Sequence, residues 1–344
     1  MNIKKLLSYS LALSIACAGL AGCTSNEQSE EKTNSDKKLK IVTTIFPEYD
    51  WVSNILGEKI NDTDLVLLMD SGIDMHSFQP SADDMITVSN SDLFIYTGGL
   101  SDAWVSDALK NSTNSNIQAL NLIEVLGQDA KTEEVVEGMQ DDDHDHDDDH
   151  DDDHDHDDDH DDDHETEIDE HVWLSLKNAE IFCQSITEKL CSIDPENAQT
   201  YKQNSKNYIE KLKNLDGEYK NTVENAKNDT LLFGDRFPFR YLTDDYNIEY
   251  YAAFVGCSTE TDASFDTISF LANKVDELNL KYVMTIENSD QKVAKTIIEN
   301  TKSKNQEILT LDSIQSINKE NIKNGISYLS IMEKNLEVLK KALN

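Results

Sequence analysis

The sequence predicts an α/β protein of two lobes, each a four-stranded, mainly parallel sheet flanked by helices, with a long helix between them. Short apolar runs of strand length alternate with helical patterns in two separate groups. Between the groups, residues 176–228 keep a helical pattern that breaks once, at Asp194-Pro195, where Asp can cap and Pro can open a new helix. About 280 residues remain for the folded body once an N-terminal signal, a polar tether and a low-complexity tract are set aside, enough for two lobes.

The first group has runs at Leu39–Ile45, Asp64–Met69, Leu93–Thr97 and Ile117–Leu120, with helical patterns at Glu48–Leu56, Ser81–Ser89 and Ala103–Lys110. After Asp194 the helical pattern extends from Pro195 to near Lys227, roughly 50 Å at the helical rise, and reads as a strut between lobes. The second group has runs at Leu231–Phe233, Ile248–Ala253, Tyr282–Ile286 and Ile308–Leu311, with helices at Ser264–Leu278 and Gln291–Ser303. Strands separated by helices imply right-handed crossovers and parallel pairing, and such sheets bind ligands beyond their C-terminal strand ends. His76 lies beyond the second run, Gly234-Asp235 follow the fifth, and Asp312 follows the eighth, so donors from distant segments converge on one cleft. The expected organisation is a signal peptide at 1–22, a tether at 23–38, an N-terminal lobe at 39–175, linking helices at 176–228 and a C-terminal lobe at 229–344.

Residues 141–164 contain seventeen Asp and seven His and nothing else. With no apolar atoms the tract cannot build a core and is expected to be a solvated loop. Imidazole and carboxylate are both metal ligands, so His144, His146, His150, His154, His156, His160 and His164 form an auxiliary metal-binding loop. Protons compete for the same imidazoles, so capture weakens below roughly pH 6.5. A flexible chain offering many equivalent ligand sets gives weak, fast-exchanging binding rather than one tight site.

Lys4 and Lys5, the apolar run Leu6–Leu20 and the sequence Leu20-Ala21-Gly22-Cys23 have the layout of an export signal. The last four residues resemble the lipobox of bacterial lipoproteins, which implies cleavage before Cys23 and a lipid on its thiol. Net charge is −38, and with the tract aspartates set aside 51 acidic residues still face 30 basic ones. That sign excludes nucleic acid as a partner and favours cations. Cys183 and Cys191, eight residues apart on one predicted helix, are too far apart to bridge; a disulfide from Cys257 to one of them is open, and buried free thiols are the expected state.

Gly72-Ile73-Asp74-Met75-His76-Ser77-Phe78-Gln79-Pro80 and Asp169-Glu170-His171-Val172-Trp173-Leu174 are similar to two ligand segments of a known family. Thr43-Thr44-Ile45-Phe46-Pro47, Gly98-Gly99-Leu100 with Trp104, and Leu311-Asp312 support the match. The chain thus resembles the bacterial metal-binding lipoproteins that serve as solute-binding subunits of zinc and manganese ABC importers, the cluster A-I or family 9 group. The resemblance covers nearly the whole mature chain, and an acidic, His-rich insertion before the second segment is typical of its zinc-importing branch. It implies two α/β lobes joined by a rigid backbone helix, one metal ion held between them, His76 and His171 as imidazole ligands, and Asp312 as the carboxylate of the C-terminal lobe.

The chain departs from the family at the third ligand. Zinc-binding members have His after the strand corresponding to Leu231–Phe233 and manganese-binding members often have Glu, whereas this chain has Gly234. Asp235 is the first substitute, Glu260 the second and Glu287 the third, with water and tract histidines also open. Two His and two carboxylates tolerate Zn, Mn or Fe(II); the His-rich tract favours zinc.

The expected function is an extracytoplasmic zinc receptor, lipid-anchored to the outer face of the cytoplasmic membrane and monomeric, that delivers its ion to an ABC permease and ATPase. A manganese or iron receptor, and a metal-buffering surface adhesin without a transporter, are the alternatives. No enzyme activity is expected: HExxH and GxSxG are both absent from the sequence.

Overall fold

The computed structural model describes residues 38–140, 167–258 and 262–344. The expected signal peptide, Cys23, the Asp/His tract and Glu260 lie outside them. The first sheet is built from β1 (Leu39–Thr43), β2 (Thr63–Leu67), β3 (Leu93–Tyr96) and β4 (Gln118–Asn121), in the order β2-β1-β3-β4. Helices α1 (Phe46–Leu56), α2 (Ala82–Ser89), α3 (Val105–Lys110) and α4 (Leu122–Leu126) accompany it. Then come α5 (Leu176–Ile193) and α6 (Ala198–Glu224), separated by a 3-10 turn at Pro195–Asn197. The second sheet has the order β6-β5-β7-β8, from β5 (Thr230–Phe237), β6 (Glu249–Val255), β7 (Tyr282–Ile286) and β8 (Glu307–Leu311). Its helices are α7 (Arg240–Tyr246), α8 (Phe265–Leu278), α9 (Lys292–Asn300), α10 (Lys319–Lys323) and α11 (Tyr328–Ala342). Every strand pair in both sheets is parallel.

The strands are apolar on both faces because helices cover both faces. Along β1, Ile41 joins the central core and Val42 the cluster under α2 and α3; along β5, Leu231 and Phe233 face the central core and Leu232 the cluster under α8 and α9. The central core is continuous from Ile41 in the first sheet to Leu343 after α11, and Tyr201, Tyr208, Leu212, Leu215 and Tyr219 of α6 run through it. Polar ties fix α6 at both ends. Asn204 donates to the Ile55 carbonyl at 3.0 Å, Tyr208 to Asp50 at 3.0 Å and Tyr219 to the Met332 carbonyl at 2.6 Å. This helix spans 27 residues, about 40 Å, and is shorter at both ends than its sequence pattern suggests.

The main difference from expectation is β5, which continues through Gly234 and Asp235 to Phe237. Its register against β6 breaks between Phe233 and Arg236, a bulge that sets Gly234 and Asp235 opposite Ala253 alone. Cys183, Cys191 and Cys257 are free thiols as expected, but Cys191 and Cys257 are partly exposed rather than buried.

Asp50 gives the fold a pH signature. Burial pushes its carboxyl up from 3.8 to about 6 although Tyr208 donates to it. Between those pH values the folded state holds a proton that the unfolded chain has released, so this group's contribution falls as pH rises through the window and stays lost above it. Asp50→Asn is expected to remove that slope, gaining up to about 3 kcal/mol on the wild type between acid and neutral pH. Urea unfolding of both proteins across the range checks this; parallel stability curves would refute it.

Candidate metal centre

His76 sits in a 3-10 turn, Met75–Ser77, capped by Asp74, which accepts the His76 backbone N–H at 3.0 Å. The turn follows β2 and is fastened to the C-terminal lobe. Arg236 of β5 forms an ion pair with Asp74, and Lys319 donates its backbone N–H to the Asp70 carbonyl at 3.0 Å. His171 precedes a second 3-10 turn, Val172–Leu174, that leads into α5. Asp169 Oδ1 accepts both the His171 backbone N–H at 2.8 Å and its Nδ1 at 2.9 Å. The ring is fully buried and backed by Gly256, where a Cβ would lie 3.1 Å from His171 Cε1.

Both imidazoles are held by the nitrogen that points away from the site. His76 Nδ1 lies 3.0 Å from Ser101 Oγ, and that hydroxyl donates its one proton to Glu170 Oε2 at 2.5 Å. Ser101 can therefore only accept from His76, which assigns the His76 proton to Nδ1; Asp169 assigns the His171 proton in the same way. Glu170 also accepts the Ser101 backbone N–H at 2.8 Å and fills the space over Gly99, where a Cβ would lie 2.2 Å from its carboxylate. The two Nε2 lone pairs face each other at 3.1 Å. Two acceptors at that distance repel unless a proton or a metal cation lies between them, and carboxylate-oriented imidazoles are the usual metal-site arrangement. On a tetrahedral zinc with Zn–N of about 2.0–2.1 Å, two nitrogens stand about 3.3–3.4 Å apart, close to the spacing here. Burial, with His171 and Arg236 adding and Asp74 opposing, pushes His76 down to about 3. Its ring is neutral near pH 7, which is the ligating form.

Among the described residues, the His, Cys, Asp and Glu donor atoms that converge within 4.8 Å of one another belong to His76, His171 and Cys257. Cys257 lies in the turn after β6, where its backbone N–H donates to Glu133 at 2.9 Å. Burial, then Glu133 and Asp169, pushes its thiol far above the usual range.

The expected carboxylates stand outside this group. Asp235 accepts the backbone N–H groups of Arg236 at 3.0 Å and Ile286 at 3.3 Å. Glu287 accepts from Ser313 N at 2.7 Å, Ser313 Oγ at 2.8 Å and Gln315 N at 3.2 Å. Asp312 accepts the Ile314 N–H at 2.8 Å, and burial raises both it and Glu287, the latter further by the Asp312 charge. Gly234 faces away from the histidines: a Cβ there would lie 2.5 Å from the Ala294 Cα of α9. The sequence reading placed His76 and His171 together and missed Cys257, Ser101 and Arg236. The loop that offered Glu260 also holds Cys257, at the C-terminal end of a parallel strand.

Residues 41–342 match the family described as ZnuA, zinc-uptake complex component A, periplasmic. The zinc-binding protein AdcA of Streptococcus pyogenes is 30% identical over 312 residues, 89% of this chain and 56% of that protein, so the chain spans little more than half of that relative. The high-affinity zinc uptake system protein ZnuA of Bacillus subtilis is 29% identical over 324 residues, 94% of this chain and 93% of that protein. The Zn(II)-bound ZnuA-like domain of Streptococcus pneumoniae AdcA matches with a TM-score of 0.67 at 25% identity, over 89% of this chain and 99% of that one. The metal-dependent lipoprotein YcdH of B. subtilis matches with a TM-score of 0.68 at 27% identity, again over 89% and 99%.

Proposed function

Because the chain belongs to the ZnuA family of zinc-uptake components, we propose that it captures zinc outside the cytoplasmic membrane and hands it to an ABC permease and its ATPase. The observation that carries this reading is the pair of buried imidazoles whose Nε2 atoms face each other at 3.1 Å with both Nδ1 atoms held from behind. The names of the relatives, for zinc binding and zinc uptake, support the choice of ion. In this reading His76 and His171 hold the ion through Nε2, and Asp312, which stands outside their donor group, is the carboxylate that the opposite lobe would add. The chain binds and releases its cargo without turning it over. It acts as a monomer, attached to the membrane through lipid on Cys23. Manganese is the weaker cargo, because imidazole binds zinc more tightly.

The experiment is competition titration with Zn(II) and Mn(II) of the mature chain and its His76→Ala variant. One tight zinc equivalent that disappears in the variant is expected; tight binding unchanged by the substitution would overturn the reading.

The tract is the feeder in this scheme. The described chain stops at Gln140, whose N–H donates to the Ala253 carbonyl in β6 at 2.9 Å. It resumes at Glu167, whose carbonyl accepts from Glu133 N at 2.8 Å, and the Glu133 carboxylate in turn holds the Cys257 N–H. The second root is therefore linked to the candidate site through Glu133, and the first lies along β6, the strand whose C-terminal turn carries Cys257. Deleting residues 141–164 is expected to remove the weak equivalents and leave the tight one within a few-fold of its affinity. Equilibrium dialysis reads both, and a large loss of the tight equivalent would end the division of labour.

A further inference from the structure

We infer that the Cys257 thiolate is the third protein ligand of the metal site, making it a His76–His171–Cys257 centre with one sulfur donor. The inference rests on the receptor reading and says which donor replaces the imidazole that this chain lacks.

The usual position is closed. At Gly234 a Cβ would lie 2.5 Å from Ala294 Cα and 2.8 Å from Ala294 N, both backbone atoms of α9, so a side chain there would have to displace β5 or α9. The carboxylates nominated beside it already serve as acceptors for backbone N–H groups: Asp235 for Arg236 and Ile286, Glu287 for Ser313 and Gln315. Arg236 fills the next position and brings a positive charge to Asp74. The neighbouring strand supplies what β5 cannot. β6 runs parallel to β5, and the turn at its C-terminal end carries Cys257 to the same mouth, where parallel sheets gather their ligands. Its sulfur and one ring nitrogen from each of His76 and His171 lie within 4.8 Å of one another. On tetrahedral zinc, with Zn–S of about 2.3 Å and Zn–N of about 2.0–2.1 Å, sulfur and nitrogen stand about 3.6 Å apart, a spacing that this group can reach with small shifts.

The turn is built around that placement. Gly256 leaves room for the His171 ring, and Glu133 fixes the Cys257 backbone through its N–H. Cys257 is in no disulfide. When the ion binds, the Zn–S bond forms as the S–H bond breaks, and the proton leaves to water. Two imidazoles with one thiolate make a softer set than two imidazoles with two carboxylates, and soft sulfur selects zinc over manganese.

The test is cobalt substitution in the mature chain with its tract intact, loaded with one equivalent of Co(II), alongside Cys257→Ser and His171→Ala. The expected result is a thiolate-to-cobalt charge-transfer absorption in the near ultraviolet that is lost in Cys257→Ser. With it goes at least about a tenfold loss of zinc affinity, on the scale of other metal-site changes, and little change for manganese. X-ray absorption of the one-equivalent zinc form provides a readout that needs no variant: a sulfur scatterer at about 2.3 Å is expected. A tight equivalent that depends on His171 but shows neither the absorption nor the sulfur scatterer overturns the Cys257 assignment and leaves the receptor standing. A chain with no tight equivalent sensitive to His171→Ala overturns both.

Discussion

His171→Ala is expected to abolish the tight zinc equivalent, weakening it by well over a hundredfold. Changes to groups that merely orient a ligand cost about 10- to 100-fold in metal affinity, and this one removes a donor outright. His171 is also the group that uses Asp169, whose Oδ1 accepts its ring N–H at 2.9 Å in a fully buried setting. Alanine leaves that carboxylate with the backbone N–H of residue 171 but no ring partner, and it leaves a hole beside Trp173, with which the imidazole packs at 5.2 Å between ring centres. A stability loss of about 2–4 kcal/mol should accompany the loss of metal. Isothermal titration against a competing chelator and urea unfolding of the metal-free proteins read the two effects separately. Retention of tight zinc by a folded His171→Ala protein would remove this residue from the site.

Gly234→His, the substitution that would restore the family's residue, is expected to harm the protein and not to improve metal binding. Its Cβ would enter the backbone of α9, with Ala294 Cα at 2.5 Å and Ala294 N at 2.8 Å. Backbone cannot rotate aside as a side chain can, so β5 or α9 must move. Overpacking of this kind costs about 1–3 kcal/mol and often more, and burying an imidazole without a partner adds a further penalty. A loss of about 3 kcal/mol or more is expected in denaturant unfolding. Zinc affinity should stay level or fall. A stable Gly234→His protein with tighter zinc would mean that the strand can turn this position toward the histidines.

The fold was legible because the central strands of each sheet are buried on both faces, which makes strands such as Tyr282–Ile286 continuous apolar runs. The extension of β5 was not, since Gly-Asp-Arg reads as a turn, and only packing against β6 and α9 holds it in the sheet. α7, at seven residues, is too short for its periodicity to be recognised. α11 did carry a signal: Tyr328, Ile331, Met332, Leu336 and Leu339 fall at helical spacing and are all buried. At the site, His76 and His171 were visible because each stands in a motif. Cys257 has no sequence partner at metal-ligand spacing, and its role depends on two strands lying side by side. Ser101 and Asp169 orient the rings through bonds that no local pattern records.

A single apolar core crosses both lobes, and α6 is bolted to α1 by Asn204 and Tyr208 and to α11 by Tyr219. In the proposed receptor a frame held in this way resists hinging of one lobe on the other. On that reading, capture and release of the ion are expected to fall to the turns that carry His76, His171 and Cys257, which lie outside the helical frame.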